Sequence, residues 1–263
     1  MTAEKLADGR AVPTAAGDLA GALDRALAAS AQPEPILSGA GRWWVTGGRG
    51  GIEVHAASGS HLPAAARRLA RVASGPALLA VRLAVAVTGH HPFTALFPEP
   101  RRPGVLALVR CGSPAPPTQA ERALFSALVR PGPAAETAGA GGSAYAALPL
   151  LRRAAEVERA WTHRVPLRDR PRLARSLDLD PLDPHGLLLV LGSHHLRAAG
   201  DVEVGQAMAR LRLTGRLLGL RTTVLAGPAQ LAGLRPGAVP GADRGLAPLL
   251  VLDVRTAAAD PGR

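Results

Sequence analysis

One stretch, residues 201–228, limits most strongly what this chain can fold into. Small or apolar residues recur in it at three- and four-residue spacing, which predicts a helix over 202–218 with one buried face. They are Val204, Met208, Leu211, Gly215 and Leu218. We expect Asp201 to cap the start of this helix and Gly219 to end it in a left-handed conformation. A strand over 221–225 should follow, so the stretch predicts a central helix followed directly by a β-strand.

The rest of the chain also mixes helical patterns with short β-like runs. Helices are predicted over 17–31, 64–89, 119–130 and 148–163, and strands over 42–45, 52–55, 104–111, 186–192 and 248–254. Pro76 should break or kink the second helix, because proline removes a backbone donor. Helices interleaved with strands that do not alternate strictly predict an α+β class, with central helices packed on small mixed sheets.

Two similar halves are the predicted domain organisation. Residues 131–143 are low in complexity, which is typical of a flexible linker. The predicted linker, 131–147, separates a first half over 1–130 from a second half over 148–263. Each half has apolar helices and about three short strands. The order of elements therefore indicates a pseudo-duplication, although the sequence has no repeat at the level of residues.

The net charge of +11 raises the question of nucleic-acid binding. Arginine carries it, since Lys5 is the only lysine, and the arginines are scattered over many segments. Aromatic residues make up only 3% of the chain and do not interleave with the arginines, as they would in proteins that stack single-stranded bases. We therefore expect no nucleic-acid partner.

Several familiar site patterns fail in this chain. The glycine run 47–51 lacks the Gly-Lys-Ser/Thr ending of a phosphate loop and is predicted to be a hairpin turn. The histidine pairs 90–91 and 194–195 are adjacent in sequence, so each pair points to different sides and no metal site is predicted. Cys111 is the only cysteine, which excludes an intrachain disulfide, and it is expected to be inert.

No membrane or secretory segment is predicted. Residues 1–10 carry no apolar core of a signal peptide. The longest apolar stretch, 76–89, contains Arg82 and is too short to cross a bilayer. We expect a cytoplasmic protein without a membrane partner.

Two stretches together resemble the nitroreductase superfamily, specifically its Acg-type branch, whose members carry two nitroreductase-like halves in one chain. In the first half the matching motifs are Arg42-Trp43-Trp44-Val45, Leu62-Pro63, 78–89, Leu96-Phe97-Pro98-Glu99-Pro100 and 103–121. In the second half they are Gly205-Gln206-Ala207, Gly219-Leu220, Thr223-Val224-Leu225 and the strand from Pro248. The resemblance covers most of residues 17–255, in order.

The resemblance implies a nitroreductase-like fold and FMN-dependent chemistry, in which NAD(P)H reduces the flavin and the flavin passes hydride to a nitroaromatic compound or a quinone. No catalytic side chain is implied. The flavin contacts that it implies in this chain are Arg42, Arg130, Arg221, Thr222, Thr223 and Leu225.

Three elements that the family associates with flavin depart from its pattern. The region 32–41 keeps only Pro33 of the family's Ser- and Asn-containing motif, and Pro131-Gly132-Pro133 replaces an arginine cluster that suits the FMN phosphate. The family's C-terminal Pro-Arg-Arg-Pro-like tail is also missing. Two hypotheses stay open: an NAD(P)H oxidoreductase with an eroded flavin-phosphate site, and a non-catalytic member that binds flavin, another small ligand or a partner protein, with a homodimer also open.

Overall fold

A computed structural model describes residues 16–31, 36, 43–48, 50–57, 62–130, 143–180, 182–195, 197–232, 234, 239 and 247–256. The first half contains α1 (Ala16–Ser30), β1 (Trp43–Gly48), β2 (Gly51–Ala56), α2 (Ala64–Val87), β3 (His90–Leu96), β4 (Val105–Pro114) and α3 (Gln119–Val129). The second half contains α4 (Leu148–Val157), β5 (Ala160–Arg164), α5 (Arg170–Ser176), β6 (Leu187–Ser193), α6 (Ala198–Leu217), β7 (Leu220–Ala226), α7 (Pro228–Ala232) and β8 (Ala247–Thr256). The α+β class is therefore confirmed.

The described strands form two four-stranded sheets with the same connectivity. Sheet A has the strand order β1-β2-β4-β3, and sheet B has the order β5-β6-β8-β7. Every pair in both sheets is antiparallel, so the prediction of mixed sheets is wrong. In each half a long helix connects the second strand to the third. The other two connections are short in the first half, whereas in the second half they carry α5 and α7.

The two halves also agree in detail where the central helices end. A glycine with positive φ follows each helix, Gly89 at 84° and Gly219 at 71°. The same sequence offset relates Gly89 to Gly219 and Gly75 to Gly205. The strands that follow, β3 and β7, each have seven residues. The left-handed turn after the helix is thus a shared element, and it confirms the predicted role of Gly219.

The central helices α2 and α6 pack against each other between the two sheets. They come close enough at Gly75 and Gly205 that a Cβ on Gly75 would lie 2.3 Å from the Gly205 carbonyl carbon. Val72, Val204, Met208 and Leu211 are buried around this crossing, together with leucines of sheet B. Only glycine permits such an approach of two helix backbones, so these positions determine how the halves meet.

Some predicted boundaries differ from the observed ones. The helix predicted over 148–163 ends at Val157, and β5 begins three residues later. Strand β3 follows α2 directly and was not predicted, because His90 to Leu96 lacks an alternating apolar pattern. Pro76 lies inside α2, which continues through it from Ala64 to Val87.

Asp201 does not cap α6, contrary to the prediction. The helix begins at Ala198, and Arg197 occupies the capping position without a side-chain cap bond. Asp201 is 3% exposed and is paired with arginines of α2. The physical reason is that a buried carboxylate with two guanidinium partners is better satisfied than one at a helix start.

The predicted linker 131–147 lies mostly outside the described residues. Its last part, 143–147, forms a turn in which Ala144 is buried and the Tyr145 hydroxyl donates to the Gly186 carbonyl at 3.2 Å.

Among the described helices α2 alone has the length and hydropathy of a membrane span, and 72% of that segment is buried inside the protein. The core helix of a globular protein has the same properties.

Candidate functional site

Two helices share a buried carboxylate near their N-terminal ends. Arg68 Nε donates to Asp201 Oδ1 at 2.9 Å, and Arg71 Nε donates to Asp201 Oδ2 at 2.9 Å. Both arginines belong to α2 and Asp201 belongs to α6, so the pairs join the two halves. Removing Asp201 would leave two partly buried cations without this partner, which is costly.

A depression opens beside these arginines on the first half of the chain. Arg67 and Arg71, about one helical turn apart on α2, form its cationic side. Its apolar wall consists of Ala56, Ala57, Phe97, Pro103 and Leu106. Arg67 Nη1 donates to the Leu62 carbonyl at 3.0 Å, which holds this side chain near the start of the helix.

The start of α2 adds to the positive potential around the depression. Pro63 precedes the helix without a capping side chain, and the first turn holds no acidic residue. The positive end of the helix dipole therefore lies close to Arg67, Arg68 and Arg71. Arg68 and Arg71 both pair with the carboxylate of Asp201, so two guanidinium groups share one negative charge there.

A second charged cluster lies where the turn between α4 and β5 meets the central helices. Glu158 is 4% exposed, and it accepts from Arg82 Nη1 at 2.5 Å and from Arg210 Nε at 2.7 Å. Arg82 also donates to Gln206 Oε1 at 2.7 Å. Because both cations are satisfied by Glu158, we interpret this cluster as a structural joint between α2, α4 and α6.

Glu203 on α6 lies beside that joint and is less well paired. It is 8% exposed, and its Oε1 lies 3.6 Å from Nη1 of Arg159, which is itself largely exposed. Burial raises the pKa of Glu203, while the charges of Arg159 and His195 partly offset this effect. The contact is too long to be a strong charge-assisted hydrogen bond.

The structure does not gather the residues that the resemblance implies for flavin onto one surface. Arg42 lies outside the described residues. Arg130 is exposed at the end of α3, and its carbonyl accepts a hydrogen bond from Arg216 Nη2 near the end of α6. The C-terminal ends of two helices meet there, and helix C-termini carry negative partial charge, which disfavours a phosphate.

The remaining implied residues lie on β7, where their side chains alternate between the two faces of sheet B. Thr222 is 8% exposed, lies on the face towards α6 and has no hydrogen-bond partner for its hydroxyl. Arg221 and Thr223 are exposed on the opposite face, and Leu225 on that face is half-buried in an apolar cluster. A single ligand on one face cannot contact the side chains of both threonines.

Sequence reasoning missed the arginines at the start of α2. A signal was present, since basic residues crowd the first two turns of this helix, where acidic residues are usual. The walls of the depression come from β2, from β4 and from the connection between β3 and β4, and no sequence pattern indicated that contact. Among the described residues, no group of three or more His, Cys, Asp or Glu side chains is arranged to hold a metal ion.

No protein-family model matches this chain, and no curated protein matches it significantly.

Proposed function

We propose that this chain binds a small anionic ligand in the depression at the start of α2. The observation that carries the proposal is that one depression has two arginines, Arg67 and Arg71, on one side and an apolar wall on the other. Arginine binds phosphate and carboxylate groups well because its planar donors match their geometry. The uncapped start of α2 favours the same charge.

The chemistry of the lining defines the ligand class. A phosphate or carboxylate would meet the arginines, and an apolar or aromatic body would contact Phe97, Pro103 and Leu106. FMN belongs to this class, which makes it the first ligand to test. Binding here needs no flavin chemistry from the protein, so the proposal corresponds to a non-catalytic, ligand-binding member of the nitroreductase type.

The test is a titration of the purified protein with FMN and with riboflavin, which lacks the phosphate, followed by flavin fluorescence. We expect FMN to bind at least tenfold more tightly than riboflavin. Arg67→Gln should remove most of this difference. Arg152→Gln, which removes an exposed arginine from α4, is the matched control and should leave it intact.

Two results would contradict the proposal. One is equal affinity for FMN and riboflavin, together with no binding of inorganic phosphate or simple aromatic carboxylates. The other is phosphate-dependent binding that Arg67→Gln does not change. The second result would place an anion site elsewhere in the chain.

A second candidate is an FMN-dependent NAD(P)H oxidoreductase of the nitroreductase type. The observation that favours it is the pair of four-stranded sheets with one shared strand order, since the resemblance implies two similar halves in one chain. The test is the visible absorbance of the purified protein, followed by NAD(P)H oxidation with quinones and nitroaromatic compounds. Absorbance bands near about 370 and 450 nm, which a bound flavin gives, together with turnover would support it. A colourless protein without turnover in excess FMN would exclude it and leave the binding proposal to its own test.

A further inference from the structure

In the part of the chain that the structure describes, one face of sheet A is open, although the equivalent face of sheet B is covered. In sheet B, Leu173 of α5, Leu177 directly after it and Leu231 of α7 join an apolar cluster with the outward residues of β6 and β8. Sheet A has short connections at the corresponding places, a tight turn between β1 and β2 and a loop between β3 and β4. No described element covers its outer face.

The open face carries two aromatic rings. Trp44 on β1 is 44% exposed and Phe93 on β3 is 58% exposed, whereas the other large exposed hydrophobic residues are aliphatic. Trp44 stacks on His55 with the ring centroids 5.1 Å apart and the planes 7° apart. Phe93 contacts His91 edge to face. Exposed flat rings on a sheet are a stacking surface for bases.

Cationic side chains lie between these rings. Arg110 stands opposite Phe93 in the sheet, is exposed, and donates through Nε to the Gly50 carbonyl at 3.0 Å. Arg102 forms a bidentate pair with Glu53, at 3.0 and 2.7 Å, and lies 3.5 Å from Glu99, so Arg110 rather than Arg102 supplies positive charge to the face. With a net charge of +11 on the chain, a polyanion is attracted to the protein as a whole.

The spacing of the rings fits an extended strand of nucleotides. Trp44 and Phe93 lie on the two edge strands and are separated by three strand spacings across the sheet and about four residues along it. At ~4.8 Å per strand and ~3.3 Å per residue, this is a diagonal of about 20 Å. A duplex hides its bases from such a surface, whereas a single strand can present them to it.

We propose that the open face of sheet A binds single-stranded nucleic acid, with bases stacked on Trp44 and Phe93 and the backbone drawn by Arg110 and the net charge of the chain. The sequence argued against nucleic acid because its aromatic residues do not alternate with arginines. The sheet places Trp44, Phe93 and Arg110 on one face although they are far apart in the sequence. This inference does not depend on the proposed ligand site.

The test is fluorescence anisotropy with labelled oligothymidine and oligouridine of about eight nucleotides, a length within the range bound by single-strand platforms. Trp44→Leu and Phe93→Leu should each weaken binding about tenfold, because each removes one stacking partner. Trp44→Phe and Phe93→Tyr keep a ring and should stay near the parent protein. Leu167→Ala, at a residue exposed outside this face, is the control and should change nothing. Each variant is first checked for an unchanged melting temperature.

Three outcomes would overturn the proposal. The first is equal binding by the parent protein and both leucine variants, which would leave only charge attraction. The second is equal affinity for a duplex of the same length. The third is self-association through this face without binding of either oligonucleotide. Light scattering would then show a mass that rises with protein concentration, and both leucine variants would abolish that rise.

Discussion

Sheets A and B share a strand order and differ in what covers them. Trp44 and Trp161 are each the second residue of the first strand of their sheet, and they lie opposite His55 and Gly192. Trp161 is 8% exposed and lies over Gly192, whereas Trp44 is 44% exposed. The same position is therefore core in one half and surface in the other.

The strand sequences already differ in the corresponding way. All seven residues of β6 are buried, as expected for a strand covered on both faces. In β2 the polar Glu53 and His55 flank the buried Val54 and point to the outer face. The difference teaches that a repeated topology can have one fully buried sheet and one half-exposed sheet, depending on whether its connections carry helices.

The largest expected effect concerns the inner layer, where the two halves are alike. Leu78 on α2 and Met208 on α6 are buried to 0% and 1% exposure at positions related by the same offset as Gly75 and Gly205. Leu78→Asp and Met208→Asp should each abolish soluble expression, because each buries an unpaired charge. Leu217→Asp is the control and should express normally, because Leu217 lies at the end of α6 and is 45% exposed. Normal yield and melting of either buried variant would show that the inner layers are not equivalent.

The outer faces should respond differently to one substitution. Trp161→Ala removes a buried ring and the bond from its Nε1 to the Ser193 carbonyl, so it should lower the free energy of unfolding by about 3–5 kcal/mol. Trp44→Ala should cost less than about 1 kcal/mol, because the ring is half exposed already. Urea unfolding of the two variants measures both values. Similar losses would mean that something covers Trp44 in solution.

The smallest effect is a difference in pH dependence between two glutamates. Burial raises the pKa of Glu203 above its ordinary value of 4.5, so the folded state binds its proton more readily than the unfolded state. The contribution of Glu203 to stability should therefore fall as the pH rises from 4.5 through the raised pKa. The hydrogen bond from Arg102 lowers the pKa of Glu53, so its contribution is present above 4.5 and is lost as the pH falls through the lowered pKa.

Urea unfolding at a series of pH values tests these signs. Glu203→Gln should reduce the loss of stability above pH 4.5, and Glu53→Gln should reduce the loss below it. The two substitutions should change the slope of stability against pH in opposite directions. A change of slope in the same direction in both variants would contradict the assigned environments. The effect of Glu53→Gln should be modest, because Arg102 is half exposed and solvent screens its pair with Glu53.

Helices with long, regular patterns were the most predictable part of this protein. The apolar spacing in α6, the glycine that ends it and strand β7 after it all agree with the prediction. The predicted boundaries failed at β3 and β5, which are short edge strands with polar residues. Such strands form because a neighbouring strand pairs with them, and a local pattern carries little of that information.

The candidate sites were less predictable than the fold. The alternation of Thr222 and Thr223 across sheet B follows from the period of a strand and could have been expected. The depression beside Arg67 and Arg71 could not, since its apolar wall comes from two strands and a loop that lie apart in the sequence. Nor could the pairing of Arg68 and Arg71 with Asp201, which depends on how two helices cross.

The sequence by itself determined the class of the fold, the central helices and the left-handed Gly219 that ends the second of them, because periodicity and backbone freedom act over a few residues. Tertiary structure alone decided which sheet face is open, which arginines meet a carboxylate and which of two equivalent tryptophans is buried. These properties depend on contacts between segments far apart in the chain, and the free energy of burial depends on the neighbours that folding supplies.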